Sequence, residues 1–203
     1  MTQFYSCSGR CLFPGLLYKI SVVEVNFLDK YLFPDVYVES ILDLPLEKLY
    51  VLGIRAFILD LDNTVTEWNN REVREEVHLW AKKAKEEGFQ ACIASNNSRA
   101  RVLAVAEELD IPFVHKARKP RRRAFYRAMA AMGSSPQETA VIGDQIFTDI
   151  LGGNRMNLFT ILVVPLHPRE FFGTRIMRKL EKPVLRRIKE AIKRGEINSI
   201  FSD

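Results

Sequence analysis

Ala56 to Leu59 form a continuous apolar run that stops at Asp60-Leu61-Asp62-Asn63-Thr64. An uninterrupted run of this length suits a strand buried on both faces of a parallel sheet. Ligands of open α/β sheets bind beyond the carboxyl ends of the strands, so Asp60 and Asp62 are expected at the rim of a site. If the extended path continues to Asp62, alternation puts both carboxylates on one side and Leu61 on the other. Carboxylates that close repel one another and call for a cation, a lysine or a shared proton.

Strand and helix patterns alternate through the rest of the chain. Val73, Val77, Trp80, Ala81 and Ala84 mark one helix face, with Trp80 read as core and Gly88 as the stop. The run Ala91–Ala94 ends in Ser95-Asn96-Asn97, and Asn97 or Ser98 can cap a helix carrying Val102, Ala106 and Leu109. A short strand over Pro112–Val114 leads through Lys116 and Arg118 to Lys119-Pro120. A helix bearing Phe125, Ala128, Met129 and Met132 stops at Gly133, and a strand over Ala140–Ile142 ends in Gly143-Asp144-Gln145. A short polar helix with Thr148 and Asp149 is expected to end near Gly152-Gly153, before a strand over Phe159–Val164. Upstream, the pattern predicts a helix over Asn26–Phe33, a strand over Ser40–Leu42 and a helix over Leu46–Leu52 ended by Gly53. Alternating strands and helices predict an α/β fold, Rossmann-like, with a mainly parallel sheet flanked by helices.

The expected strand ends carry Asp60 and Asp62, Ser95 and Asn96, Lys119, and Asp144 with Asp149. Phosphoryl transfer asks a protein chiefly for positioning and charge neutralisation, which these side chains can supply together. An aspartate can accept the phosphoryl group, and a second carboxyl can move the proton. Blander readings stand beside these: Ser95 as a helix cap, Asp149 as an ordinary helix residue, and Lys116 or Arg118 in place of Lys119.

Asp60-Leu61-Asp62-Asn63-Thr64, Ser95, Lys119 before Pro120, and Gly143-Asp144-Gln145-Ile146-Phe147-Thr148-Asp149 occur in the order of the four motifs of the haloacid dehalogenase-like phosphatases, which the sequence resembles. With Ser95-Asn96-Asn97, Ala117–Pro120 and Gly143–Asn154 taken whole, it is similar to the YqeG branch, related to the phosphatidylglycerophosphate phosphatases. The resemblance implies Asp60 as nucleophile and Asp62 as general acid and base. It implies Mg²⁺ on Asp60, the Asp62 carbonyl and Asp144. Phosphate would be held by Ser95, Asn96 and Lys119, with Thr64 and Asp149 in support. It further implies a phosphomonoesterase acting on phosphatidylglycerophosphate, with a soluble phosphoester or an RNA- or ribosome-binding role as alternatives. Each stretch between the first three motifs has room for one helix, so no cap domain is expected.

The likeness runs from about Phe27 to Arg178. Residues 1–26 are read as an N-terminal extension, expected to be disordered, residues 27–168 as the phosphatase domain, and residues 169–203 as a basic amphipathic helical segment. Arg169 to Arg194 hold ten Lys/Arg against three Glu, a surplus of seven in a chain of net charge +5, so the remainder sits at −2. That asymmetry points to an acidic partner, and Val184, Leu185, Ile188, Ala191 and Ile192 form an apolar stripe beside it. The stripe can lie on an anionic membrane, pack on its own domain or accompany RNA binding. Arg121-Arg122-Arg123, close to the expected site, is read either as a lure for an anionic substrate or as a solvated helix start.

No apolar run approaches the roughly 20 residues of a spanning helix, and no secretory signal is expected. Three cysteines, Cys7, Cys11 and Cys92, suit a reducing compartment, and the first two lack the second pair of a structural zinc site. The expected location is the cytoplasm, with the inner face of the cell membrane as a peripheral surface.

Overall fold

A computed structural model describes residues 29–68, 70, 72–167 and 172–197, with side chains from Met177 onward in the last span. The expected extension over residues 1–26, Cys7, Cys11 and the start of the helix expected from Asn26 lie outside the described residues. Six parallel strands form one sheet: β1 (Val36–Val38), β2 (Ala56–Leu59), β3 (Gln90–Ala94), β4 (Phe113–Val114), β5 (Thr139–Gly143) and β6 (Phe159–Val163). Their order is β1-β6-β5-β2-β3-β4. The chain builds outward from β2 through β3 to β4, then crosses back to place β5 on the other side of β2. The switch point is therefore between β2 and β5, where a crevice opens at the carboxyl ends.

Alternation along the strands feeds two cores. Phe57, Leu59 and Ile142 face one layer with Val77 and Trp80 of α3 (Glu75–Glu86) and Val102 and Val105 of α4 (Arg99–Glu108). Ile58, Cys92 and Val141 face the other with Phe125, Ala128 and Met129 of α5 (Arg122–Met132). Helices on both faces explain why the strands read as unbroken apolar runs. Between Asp60 and β3 the described residues contain one helix, α3, and between Ser95 and Lys119 they contain α4 and the two-residue β4. Among the described residues no cap domain stands over the sheet.

One expectation is corrected. Ser40–Leu42 is not a strand: the Ser40 hydroxyl accepts from the Leu42 amide and starts a 3₁₀ turn over Ile41–Asp43, and the edge strand is Val36–Val38, paired with β6. The helix expected to end near Gly152 and Gly153 does so, its last residue being Asn154. The π-helical turn over Ile146–Ile150 runs into the short α6 (Leu151–Asn154), and a Cβ on Gly152 would come within 2.3 Å of the Phe125 ring. Asp29–Leu32 form α1 and Leu46–Val51 form α2, the latter ended by Gly53 at φ 86°.

The C-terminal segment is one helix, α7 (Phe172–Lys193), with Pro183 inside it. Ile188 and Ala191 are buried with Phe33, Ile146, Ile150 and Leu162, and the Arg187 guanidinium meets Asp29 at 2.6 Å. Of the three partners open to the apolar stripe, the domain itself covers the Ile188 and Ala191 positions. Among the described residues no helix is long and apolar enough to cross a membrane.

Candidate active site

Asp60 follows β2 directly, and its amide donates to Ile142 O at 2.9 Å, which pins the chain against β5 one residue past the register. Lys119 arrives from the loop after β4. Its Nζ donates to Asp60 Oδ1 at 2.7 Å and stands 2.6 Å from Asp149 Oδ1, with all three side chains buried. Asp149 belongs to the π turn after β5, where its Oδ2 accepts from the Gln145 amide at 3.2 Å. It fits because residue 143 is glycine: a Cβ there would lie 2.3 Å from Asp149 Oδ2. One oxygen each from Asp60, Asp144 and Asp149 lies within 4.8 Å of the others.

Asp144 is held from the far end of the chain. The Arg178 guanidinium of α7 donates to both the Asp144 carboxylate and its backbone carbonyl. Glu181, one turn on, accepts from Arg178 at 3.1 Å and from the Phe147 amide at 3.2 Å. Asp144 Oδ1 is buried and finds no hydrogen-bond partner among the described residues, and the same is true of Thr64 Oγ1. An orphaned carboxylate oxygen beside two further carboxylates fits a hard divalent cation, which takes oxygen ligands. The side chains grouped in this way are Asp60, Asp144 and Asp149.

The Asp62 side chain points elsewhere. Its Oδ1 accepts from Arg101 Nη2 at 2.5 Å and Nε at 3.2 Å, and its Oδ2 accepts from the Asn97 amide group. Arg101 also donates to Asn70 O at 2.6 Å and Thr66 Oγ1 at 3.3 Å, tying down the turn that follows Asp62. That turn reverses at Asn63, in the left-handed region at φ 61°.

Charge balance follows from burial. Desolvation disfavours the Lys119 ammonium, but the neighbouring Asp149 and Asp60 carboxylates outweigh it and hold its pKa above the ordinary lysine value. Burial raises Asp149 to about 6, with Lys119 opposing and Asp60 adding to the rise. Burial likewise holds Asp144 well above the usual carboxylate range, opposed by Arg178 and reinforced by Asp60 and Asp149. Three close buried carboxyl groups cannot all ionise cheaply against two cations, and a bound divalent ion relieves that imbalance.

The remaining expected residues fall around this centre. Ser95 directly follows β3, buried, with its hydroxyl accepting from the Asn97 backbone amide at 3.2 Å. Asn96 is exposed, and its side chain accepts from the Lys119 amide at 2.8 Å, so it orders the lysine loop. Of the three neighbouring cations Lys119 is buried, whereas Lys116 and Arg118 are exposed. Sequence reading missed Asn97, Arg101, Arg178 and Glu181. Arg101 had one weak signal, an arginine at the edge of the apolar face of α4. Arg178 had none, being one of ten cations in a basic segment.

Residues 24–157 match the family model of the haloacid dehalogenase-like hydrolases. The chain is 42% identical over 162 residues to a Bacillus subtilis protein named "Probable phosphatase YqeG", covering 80% of this chain and 94% of that one. It is 27% identical over 184 residues to an Arabidopsis thaliana protein named "Phosphatidylglycerophosphate phosphatase 1, chloroplastic/mitochondrial", covering 85% of this chain and 52% of that one. A solved haloacid dehalogenase-like phosphatase from Thermococcus onnurineus overlaps 50% of this chain and 51% of its own at a TM-score of 0.42 and 16% identity, too little to carry weight.

Proposed function

The chain belongs to the haloacid dehalogenase-like hydrolase family and is a phosphatase, and from that premise we propose that it hydrolyses phosphatidylglycerophosphate through a phosphorylated Asp60. The observation that carries the mechanism is the Lys119 ammonium set between buried Asp60 and Asp149, beside an Asp144 oxygen without a partner. Lys119 engages Asp60 Oδ1 and leaves Oδ2 to attack phosphorus. The ester P–O bond breaks as the bond to Asp60 forms, and the departing alkoxide takes a proton from Asp62. Water then attacks the phosphorylated Asp60, gives a proton to Asp62 and frees phosphate. Both Asp62 oxygens now accept from Arg101 and Asn97, so the Asn97 contact has to open for Asp62 to reach the leaving group. Ser95 and Lys119 would hold the phosphoryl oxygens, with Asn96 acting through the lysine loop and Thr64 in support. A divalent cation, Mg²⁺ in this reading, would be held by Asp60, Asp144 and the Asp62 carbonyl, with Asp149 behind them, and would neutralise phosphoryl charge.

The lipid substrate draws support from the Arabidopsis relative, of which the chain spans about half, and from the basic exposed side of α7. The burial of Ile188 and Ala191 favours a second reading, a soluble phosphoester, because part of the apolar stripe is unavailable to a membrane. Purified protein assayed on phosphatidylglycerophosphate in mixed micelles and on a soluble phosphoester panel, with and without Mg²⁺, separates the two. Turnover of the lipid that needs Mg²⁺ and vanishes in Asp60→Asn is expected. Full turnover by Asp60→Asn would end the nucleophile assignment, and turnover of soluble esters alone would end the lipid assignment.

A further inference from the structure

The loop that delivers Lys119 inward also builds a wall facing outward. Lys116, Arg118, Arg121, Arg123 and Arg127 line a cavity of about 290 Å³ against α5. None of the five has a carboxylate partner among the described residues. Two of them, Arg121 and Arg123, are the cap and a first-turn residue of α5, Arg127 lies one turn further on, and α5 has no acidic residue in its first turn and no side-chain cap. Cations at a helix N-terminus oppose the helix dipole, so like charges gather where an anion would be favoured. The wall is anchored to the active site: the Lys116 amide donates to Asn97 O at 2.9 Å, the Ala117 amide to Ser95 O at 3.0 Å, and the Lys119 amide to Asn96 Oδ1.

We propose that this cavity binds a second phosphate group of the same molecule whose phosphomonoester is cleaved at Asp60. The proposal rests on the phosphatase reading above and narrows the substrate to a compound bearing two phosphates. Four guanidinium groups offer planar forks that match phosphate oxygens, where lysine ammonium groups would act as point charges. The volume admits a phosphate with its ester carbons. No aromatic ring lines it, which argues against a stacking platform for single-stranded nucleic acid. Phosphatidylglycerophosphate and a soluble bisphosphate share this chemistry, and the assay distinguishes them.

The test compares wild type with the double variant Arg118→Gln Arg123→Gln on three substrates. These are micellar phosphatidylglycerophosphate, its deacylated headgroup with both phosphates, and p-nitrophenyl phosphate with one. The KM should rise at least tenfold for both two-phosphate substrates, and kcat/KM for p-nitrophenyl phosphate should stay within twofold. Arg122→Gln, on the same turn but outside the cavity, should change none of them. An equal loss on all three substrates, or a loss on the micellar lipid alone, would overturn the second-phosphate site in favour of general attraction or membrane contact. Binding of glycerophosphoglycerol, a diester with no cleavable monoester, is read separately by calorimetry. It should weaken at least tenfold in the double variant, and unchanged binding overturns the inference even where turnover is absent. A wild type that binds the diester but hydrolyses no phosphoester would refute the phosphatase reading and leave the cavity intact.

Discussion

Gly143→Ala tests the tightest contact in the site. The new Cβ would stand 2.3 Å from Asp149 Oδ2, 2.4 Å from its Cγ and 2.7 Å from its Cβ, whereas ordinary contact begins at 3.4 Å. The carboxylate therefore retreats by about 1 Å, which opens its 2.6 Å contact with Lys119 to about 3.6 Å. At an effective dielectric of about 20, that opening weakens the attraction by about 2 kcal/mol. Loss of the Gln145 amide bond adds about 1 kcal/mol. A destabilisation of about 3 kcal/mol corresponds, for a chain of this size, to a melting temperature lower by roughly 6–12 °C. Thermal unfolding followed by circular dichroism reads it. The same substitution in an Asp149→Gly background, where all three contacted atoms are gone, should cost at least about 1 kcal/mol less, because contacting sites are not additive. An unchanged melting temperature, or equal costs in the two backgrounds, would refute the reasoning.

Arg178→Ala should lower the melting temperature without divalent cations, since it leaves buried Asp144 and Glu181 without their guanidinium. The rise on adding Mg²⁺ should then exceed that of wild type, and an equal rise would count against the Asp144 cation site. Cys92 is buried, and desolvation raises its thiol to about 12, with Arg127 opposing. At pH 8 only about one Cys92 thiol in ten thousand is then ionised, so Cys92 should resist iodoacetamide in the native protein and react in the denatured one. The sign for stability follows: because the folded value lies above the unfolded one, this thiol favours folding below pH 9 and loses that contribution as pH rises toward 12. Rapid alkylation of the native thiol would refute its burial.

Much of the site was legible because the chemistry sits at strand ends. A buried parallel strand has to be apolar on both faces, so its first polar residue announces the rim, as at Asp60, Ser95 and Asp144. The same logic recovered β2, β3, β5 and β6, and missed β1. Val36–Val38 are three residues whose strand state comes from pairing with β6, more than 120 positions away. The glycines of α6 marked the helix end correctly, but their packing was not legible: they are small to let α6 press against Phe125 and Val141.

Sequence alone determined the parallel sheet and which polar residues stand at its strand ends, because strand period and residue chemistry are local. Tertiary structure decided which groups act on which. It turned Asp62 toward Arg101 and Asn97, sent Asn96 to the Lys119 backbone, and brought Arg178 from the last helix onto Asp144. Those pairings span 23 to 39 positions along the chain and depend on how helices seat against a sheet, which no local pattern encodes.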